Sequence, residues 1–275
     1  MLHILKFKIS MKFKYLFYAL MLVVFSYCKH QVKFPDLVTE KVAMGNVNFE
    51  DDFPRKSEIY PGNDAEKKTS LPESLLQFKQ QYVQRSETFD LNSFQQEWQN
   101  FKAQNDITDL GEQNLKNWFD VTGFLLQLTG DETFAAELER IVWSGFVGIA
   151  AGLPDSVFSP YIFTKNVDHI HLNLFLPAEI SYEHTLGGAV KIAQQTNFPK
   201  SGSIRLNFSM EIKRYIEVFV RIPTWAEGAS VTVKGVKYFA QPGEYCIIAK
   251  KWKEGDVVEI ELPMNNLPDY LKKLV

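Results

Sequence analysis

The chain has 275 residues, 45% apolar, 14% aromatic and 23% charged, which excludes a disordered chain, a collagen-like chain and a polytopic membrane protein. Thirty basic against 33 acidic residues leave a net charge of −3, so no basic excess exists to draw nucleic acid or an anionic lipid surface. Two cysteines build neither a disulfide framework nor a cysteine-rich zinc site.

Lys12 and Lys14 precede an apolar run, Tyr15 to Tyr27, that ends at Cys28. The run is shorter than the roughly 20 residues that cross a bilayer. A basic start before a short apolar core reads as a secretory signal peptide over residues 1–28, with Met11 as an alternative start. Val24-Phe25-Ser26-Tyr27-Cys28 resembles a bacterial lipobox, although Tyr27 stands where a small residue is usual. The resemblance implies lipidation at Cys28, a place in the bacterial cell envelope outside the cytoplasm, and membrane attachment through the lipid alone. Each buried methylene of such an anchor contributes about 0.8 kcal/mol. The alternative is a retained signal anchor with an incidental cysteine.

Residues 29–70 carry Pro35, Gly45, Pro54, Pro61 and Gly62 with the charged stretches Glu50-Asp51-Asp52 and Glu66-Lys67-Lys68. They read as a tether and irregular lead-in, and Asp51 with Asp52 as part of a solvated loop.

A helical period runs through residues 71–155. Pro72 suits a first helical turn, followed by Leu75, Leu76, Phe78 and Val83 along one side. Asp90 is a plausible N-cap for Leu91, Phe94, Trp98 and Phe101. Leu115, Trp118, Phe119, Thr122, Leu125 and Leu126 form the next stripe. Thr129-Gly130-Asp131 ends it, the glycine supplying a left-handed residue and Asp131 capping a helix that holds Phe134, Leu138, Ile141, Val142 and Phe146. These are antiparallel helical hairpins whose aromatic stripes read as core.

From Tyr161 the period becomes two. Ile204, Leu206, Phe208 and Met210 alternate with polar residues, as do Ile216, Val218, Val220 and Ile222, and then Val258, Ile260 and Leu262. Turn signals separate the runs, among them Gly187-Gly188, Gly235, Pro242-Gly243 and Gly255-Asp256. Seven to nine such strands over 160–265 predict an antiparallel β-sandwich, leaving 266–275 as a tail. Helices first and strands after give an α+β class with segregated layers.

The β-region contains Asp168-His169-Ile170-His171-Leu172-Asn173-Leu174-Phe175-Leu176-Pro177, Arg221-Ile222-Pro223-Thr224-Trp225-Ala226 and Trp252-Lys253-Glu254-Gly255-Asp256 through Pro263-Met264. On these residues it is similar to the middle domain of glycoside hydrolase family 127, the β-L-arabinofuranosidase-like family. Tyr161-Ile162-Phe163 and Gln194 to Pro199 lie in the same order. Lys234-Gly235 departs from an Asn-Gly hairpin turn. Leu128-Thr129-Gly130-Asp131 and Glu137 to Gly145 resemble the last helical hairpin of the family's (α/α)6 barrel.

The resemblance implies a retaining hydrolase of arabinose-containing glycans, with a zinc-bound cysteine nucleophile beside a catalytic glutamate. The expected Glu-x-Cys motif falls on Gly111 and Gln113, and Glu112 is one position off, about 100° around a helix. The expected Cys-Cys pair falls between Gly152 and Pro160, where no cysteine stands. Twelve barrel helices of about 11 to 12 residues each also need far more chain than residues 71–155 supply. The zinc site therefore reads as lost, with no cofactor expected.

Three functions follow. The first is an envelope lipoprotein, catalytically inactive, that binds a plant-type arabinoglycan or oligosaccharide. The second is an active glycosidase with a rebuilt carboxylate site, for which Glu112 is a candidate beside Asp120, Glu132, Glu137 and Glu139. Such a pair works at about 5 Å or 6.5–9.5 Å separation. The third is a structural or partner-binding lipoprotein with no glycan role. Trp118, Trp143 and Trp225 are candidate sugar-stacking residues, with core packing as the competing role. His169 with His171 reads as structural rather than metal-binding, Cys246 as a buried inert thiol, and Glu183 and His184 as neighbours on opposite strand faces.

Overall fold

The computed structural model of the chain describes residues 42–44, 69–84, 90–146 and 158–275. The signal segment, Cys28, Asp51 and Asp52 lie outside the described residues, as does most of the stretch where the family's Cys-Cys pair was expected.

Four helices follow the apolar spacing: α1 (Glu73–Val83), α2 (Leu91–Gln104), α3 (Glu112–Thr129) and α4 (Glu132–Ile141). Phe94, Trp98 and Phe101 put one face of α2 in the core. The Asp90 carboxylate starts that helix, accepting the Asn92 N–H at 3.0 Å and the Ser93 hydroxyl at 2.6 Å. Gly130 ends α3 at φ 65°, its N–H donating to the Leu126 carbonyl at 2.8 Å. Asp131 starts α4, accepting the Thr133 N–H at 2.8 Å. The four helices close on stacked rings, with Trp98 and Trp118 5.2 Å apart and nearly parallel. Thr122 interrupts the apolar stripe of α3 for a reason: its hydroxyl accepts the buried Trp98 indole N–H at 2.9 Å. A buried indole without an acceptor costs roughly 1–3 kcal/mol.

A short helix α5 (Ser159–Ile162) leads into the sandwich strands: β2 (Phe163–Asn166), β3 (His169–Leu172), β4 (Ala178–Glu183), β5 (Ala189–Thr196), β6 (Ser203–Met210), β7 (Arg214–Ile222), β8 (Ser230–Val233), β9 (Val236–Phe239), β10 (Glu244–Trp252) and β11 (Val257–Glu261). The lead-in adds one strand that the sequence reading did not foresee. Val42–Met44, β1, pairs with β4 as a sheet edge, Val42 opposite Ile180. The large sheet runs β1-β4-β5-β6-β11-β8-β9 and the small one β10-β7-β3-β2. Among the described strands every pairing is antiparallel except β3 with β7. That exception has a cause in the connectivity: between these two strands the chain builds β4, β5 and β6 in the other sheet, a crossover long enough for parallel pairing.

The two sheets meet through Ile204, Leu206 and Phe208 of β6 and Ile216, Val218, Val220 and Ile222 of β7, all buried. Phe208 stacks on Trp252 at 3.9 Å, and the Trp252 indole donates to the Ile216 carbonyl at 2.9 Å. A fully buried side chain of this size contributes about 1.5–3 kcal/mol.

The helices pack on the sandwich by close approach. The Tyr161 ring lies against α3 at Gly123, where any Cβ would overlap ring atoms. Its hydroxyl donates to Asp120 Oδ1 at 3.2 Å. The tail is not loose, because Asp269–Lys272 forms a helix, α6, with Leu271 fully buried.

Candidate functional site

Helix α4 carries three buried glutamates, Glu132, Glu137 and Glu139. Glu132 and Glu139 are two turns apart and share a face, whereas Glu137 projects from another side of the helix. The outer face of β7 changes character along its length. Tyr215 is exposed and Glu217 half-buried, while Phe219 and Arg221 are buried. Arg221 is fully buried, yet every arm of its guanidinium is used. Nε donates to the Asn173 carbonyl at 2.6 Å, Nη1 to Glu132 Oε1 at 3.2 Å, and Nη2 to Glu139 Oε2.

The second Glu139 oxygen accepts the Trp225 indole N–H and the Tyr270 hydroxyl, both at 3.0 Å. The Tyr245 hydroxyl donates to Asn173 Oδ1 at 2.6 Å, and the guanidinium lies over Phe175, 5.1 Å from its ring centre. Burial raises the Glu132 carboxyl above the ordinary range, and the Arg221 charge only partly opposes it. The Arg221 guanidinium is raised because the charges of Glu139 and Glu132 outweigh the burial that would lower it. Burial also raises the Tyr245 and Tyr270 hydroxyls, so both stay protonated donors.

Glu137 belongs to a second cluster. Its Oε1 accepts the Trp118 indole N–H at 3.0 Å and Arg140 Nη2 at 2.6 Å, while Oε2 accepts Arg140 Nε at 2.9 Å and lies 3.1 Å from Lys102 Nζ. Burial pulls this carboxyl upward. The Arg140 hydrogen bonds, the Lys102 and Arg140 charges and the Trp118 bond outweigh it and hold the group below the ordinary range.

A catalytic carboxylate needs a lone pair open to substrate. The oxygens of Glu139 and Glu137 are all committed, and Glu132 is bound to Arg221. Asp131 is spent on the α4 cap, and Asp120 is half-exposed with Lys79 at 3.3 Å. Glu112 opens α3, but its side chain lies outside the described residues. The arrangement locks helices to sheet.

The three tryptophans fare differently. Trp118 lies under Trp98 and Phe101 with both faces covered, and Trp143 meets Phe198 edge-on at 5.5 Å, buried. Neither offers a ring face to a sugar, so both are packing residues, because the helical core needs their area. Trp225 is half-buried, one face on Phe198.

His171 stacks on Phe219 at 4.3 Å and meets Tyr245 edge-on; burial, with the neighbouring His169, pushes it down to about 3. His169 Nε2 lies 3.5 Å from Glu217. Cys246 faces the sandwich interior in register with Val220, and burial raises its thiol. Among the described residues no three His, Cys, Asp or Glu side chains are placed to hold a metal. With one half-buried, protonated thiol as the sole cysteine among them, the donor set does not fit the zinc site that the family resemblance implies. Glu183 and His184 do point apart: Glu183 is exposed and caps the Gly188 N–H, while His184 is buried, its Nδ1 accepting the Leu186 N–H at 3.0 Å.

Two open depressions lie on the large sheet. One of about 670 Å³ is lined by Ser181, Glu183, Lys191, Ser209, Glu211 and Glu254 among others. A polar one of about 300 Å³ lies between Arg205, Lys234, Asp256 and Glu259. In the first, Ser181, Lys191 and Ser209 stand in one row across β4, β5 and β6.

Sequence reading missed Arg221 and Glu139 as partners. The available signal was Phe219 on the otherwise polar face of β7, which marks a covered surface, and two glutamates seven apart on an apolar helix.

Residues 169–264 match the family model of the β-L-arabinofuranosidase GH127 middle domain. Among solved structures, a GH127 β-L-arabinofuranosidase from Geobacillus stearothermophilus T6 aligns at 23% identity and a TM-score of 0.46, covering 58% of this chain and 32% of that one. A GH127 β-arabinofuranosidase aligns at 22% and 0.46, covering 57% and 32%, and a further glycoside hydrolase at 21% and 0.45, covering 58% and 33%. The chain thus spans about a third of the length of these proteins. No curated protein matches it. The match begins at β3 and ends just past β11, taking in the Arg221 motif that anchors α4, and over that stretch the chain is similar to the GH127 middle domain.

Proposed function

We propose that the protein serves carbohydrate metabolism by holding glycan rather than cleaving it, as a GH127-like module displayed outside the cytoplasm on a lipid at Cys28. One observation carries the reading: beside a GH127 middle domain, the buried glutamates of α4 are bound to Arg221, Arg140, Lys102 and indole N–H groups. A carboxylate so engaged cannot act as nucleophile or as proton donor without dismantling the contacts that hold α4 to the sheet and to the other helices. The depression of about 670 Å³ offers hydroxyl, ammonium and carboxylate groups for sugar hydroxyls, and Trp225 is the one candidate indole with open surface. The ligand is a plant-type arabinoglycan or oligosaccharide.

The purified full chain is expected to be retarded in affinity electrophoresis through plant arabinoglycans while releasing no arabinose from an aryl arabinofuranoside. Free migration through every glycan tested sinks the proposal. A second reading, hydrolysis by a rebuilt carboxylate pair, is favoured by one feature: Glu132 and Glu139 share a guanidinium, with Glu132 raised toward a proton donor. Arabinose release abolished in Glu132→Gln or Glu112→Gln establishes that reading instead.

A further inference from the structure

Among the described residues strand β10 is an unprotected sheet edge. It ends the small sheet and pairs with β7 through nine consecutive residues, Glu244 opposite Ile222 to Trp252 opposite Arg214, with no bulge. Among the described residues no strand pairs with the opposite side of β10, which leaves its backbone N–H and C=O groups there without a ladder partner. Edges are usually blunted by proline, a bulge, short length or an inward-pointing charge. Here β10 holds no proline, and its inward-facing lysine, Lys250, meets Asp256 at 2.8 Å through one of its three ammonium donors. The other strand ends of the two sheets, β1, β2 and β9, have only three or four residues each. The rim around β10 is also apolar. Ile247 is 57% exposed, and β9, joined to β10 by residues 240–243, leaves Tyr238 54% and Phe239 81% exposed.

We propose that this edge is an interface between two copies of the chain, joined by antiparallel β10–β10 pairing about a two-fold axis at Ile247. A two-fold interface presents one patch to itself, so the strand must be complementary to its own reverse. Centred on Ile247, Glu244 meets Lys250 of the second copy, Tyr245 meets Ala249, Cys246 meets Ile248, and Ile247 meets its own counterpart. Centring one residue earlier sets Glu244 against Ile248, and one residue later against Trp252. Charge therefore selects the middle register, in which opposite charges face each other at both ends and apolar side chains fill the centre. The two small sheets become one eight-stranded sheet, and every free backbone group on the paired stretch gains a partner.

The test is the oligomeric state of the full chain by sedimentation velocity, together with site-specific cross-linking. A dimer is expected. Ile247→Lys, which sets two ammonium groups against each other at the axis, should weaken it at least about tenfold while the thermal midpoint of the protomer stays unchanged. With Cys28 and Cys246 replaced by serine, Ile247→Cys should form an interchain disulfide under mild oxidation and Ala249→Cys should not. A monomer at every concentration overturns the proposal. So does a dimer indifferent to Ile247→Lys, or one cross-linked through native Cys246, which would demand the neighbouring register.

Discussion

The helical array and the sandwich solve the same burial problem with opposite outcomes at their surfaces. Among the described residues the helices α1 to α4 expose one large apolar side chain, Leu76, yet their packed faces hold Glu132, Glu137 and Glu139. The sandwich has an interior of Ile, Val, Leu, Phe and Trp and exposes Tyr215, Val236, Tyr238, Phe239 and Ile247. The contrast follows from the backbone. A helix satisfies its own N–H and C=O groups, so a helical layer can end anywhere its outer face is polar. A sheet ends in an edge that needs a partner. The helical side needed charge for another reason: α4 is held to the sheet by a guanidinium.

The largest expected effect tests that anchor. Arg221→Met removes the guanidinium between Glu132 and Glu139 and should cost about 3–5 kcal/mol in denaturant unfolding, because it takes the cation from two buried carboxyl groups. A loss near zero would show that apolar packing alone holds the seam. Tyr238→Ser on the open rim of the sandwich should leave stability within about 0.5 kcal/mol.

The two glutamate clusters sharpen the comparison through pH. Glu137 sits below its ordinary value of 4.5, so its contribution is present above that value and is lost as pH falls through the ordinary and then the folded one. Glu132 sits above 4.5, so its contribution is full below that value and is lost as pH rises through the folded one. Glu137→Gln should therefore cost about 2–3 kcal/mol at pH 7, and Glu132→Gln markedly less. Urea unfolding at pH 7 and again at pH 4 checks both signs: the Glu137 penalty should shrink in acid. Equal costs at both pH values for both variants would remove the distinction.

Next in size is the close approach at Gly123. Gly123→Ala drives a methyl into the Tyr161 ring and should lower stability by about 1–3 kcal/mol. Tyr161→Leu should recover much of that loss in a double-mutant cycle, because the two residues share one volume. Strict additivity would mean that the ring moves aside without cost.

What could be read in the sequence was local. Asp90, Gly130 and Asp131 are caps whose chemistry acts within four residues, and the helices begin and end where they said. Alternation in β6 and β7 named the inner faces correctly. What escaped was assembled over distance. Arg221 meets glutamates 82 and 89 positions away, and no local pattern encodes that meeting. The parallel β3–β7 pairing and the edge strand β1 depend equally on where the chain returns. The tryptophans were ambiguous because core and sugar-stacking roles select the same residue, and burial decides between them only in three dimensions.

The smallest effect lies in a turn where local preference and fold disagree. The β8–β9 hairpin turns through Lys234 at φ 51° and Gly235 at φ 76°, so both central residues take left-handed conformations. That geometry matches the right-handed twist of the flanking strands and favours Asn-Gly. Lysine holds it at a cost, since a residue with a Cβ is disfavoured there and only asparagine or aspartate offsets the strain by local hydrogen bonding. Lys234→Asn should therefore stabilise the protein by about 0.5–1 kcal/mol, seen as a higher thermal midpoint. Part of that gain is opposed, because the Lys234 charge helps to hold the nearby Asp256 carboxyl below its ordinary range. Lys234→Gly relieves the strain but frees the unfolded chain, so it should gain less than asparagine. If glycine matches or exceeds asparagine, strain in the folded turn outweighs the added freedom of the unfolded chain, and the hairpin is held by its strands more than by its turn.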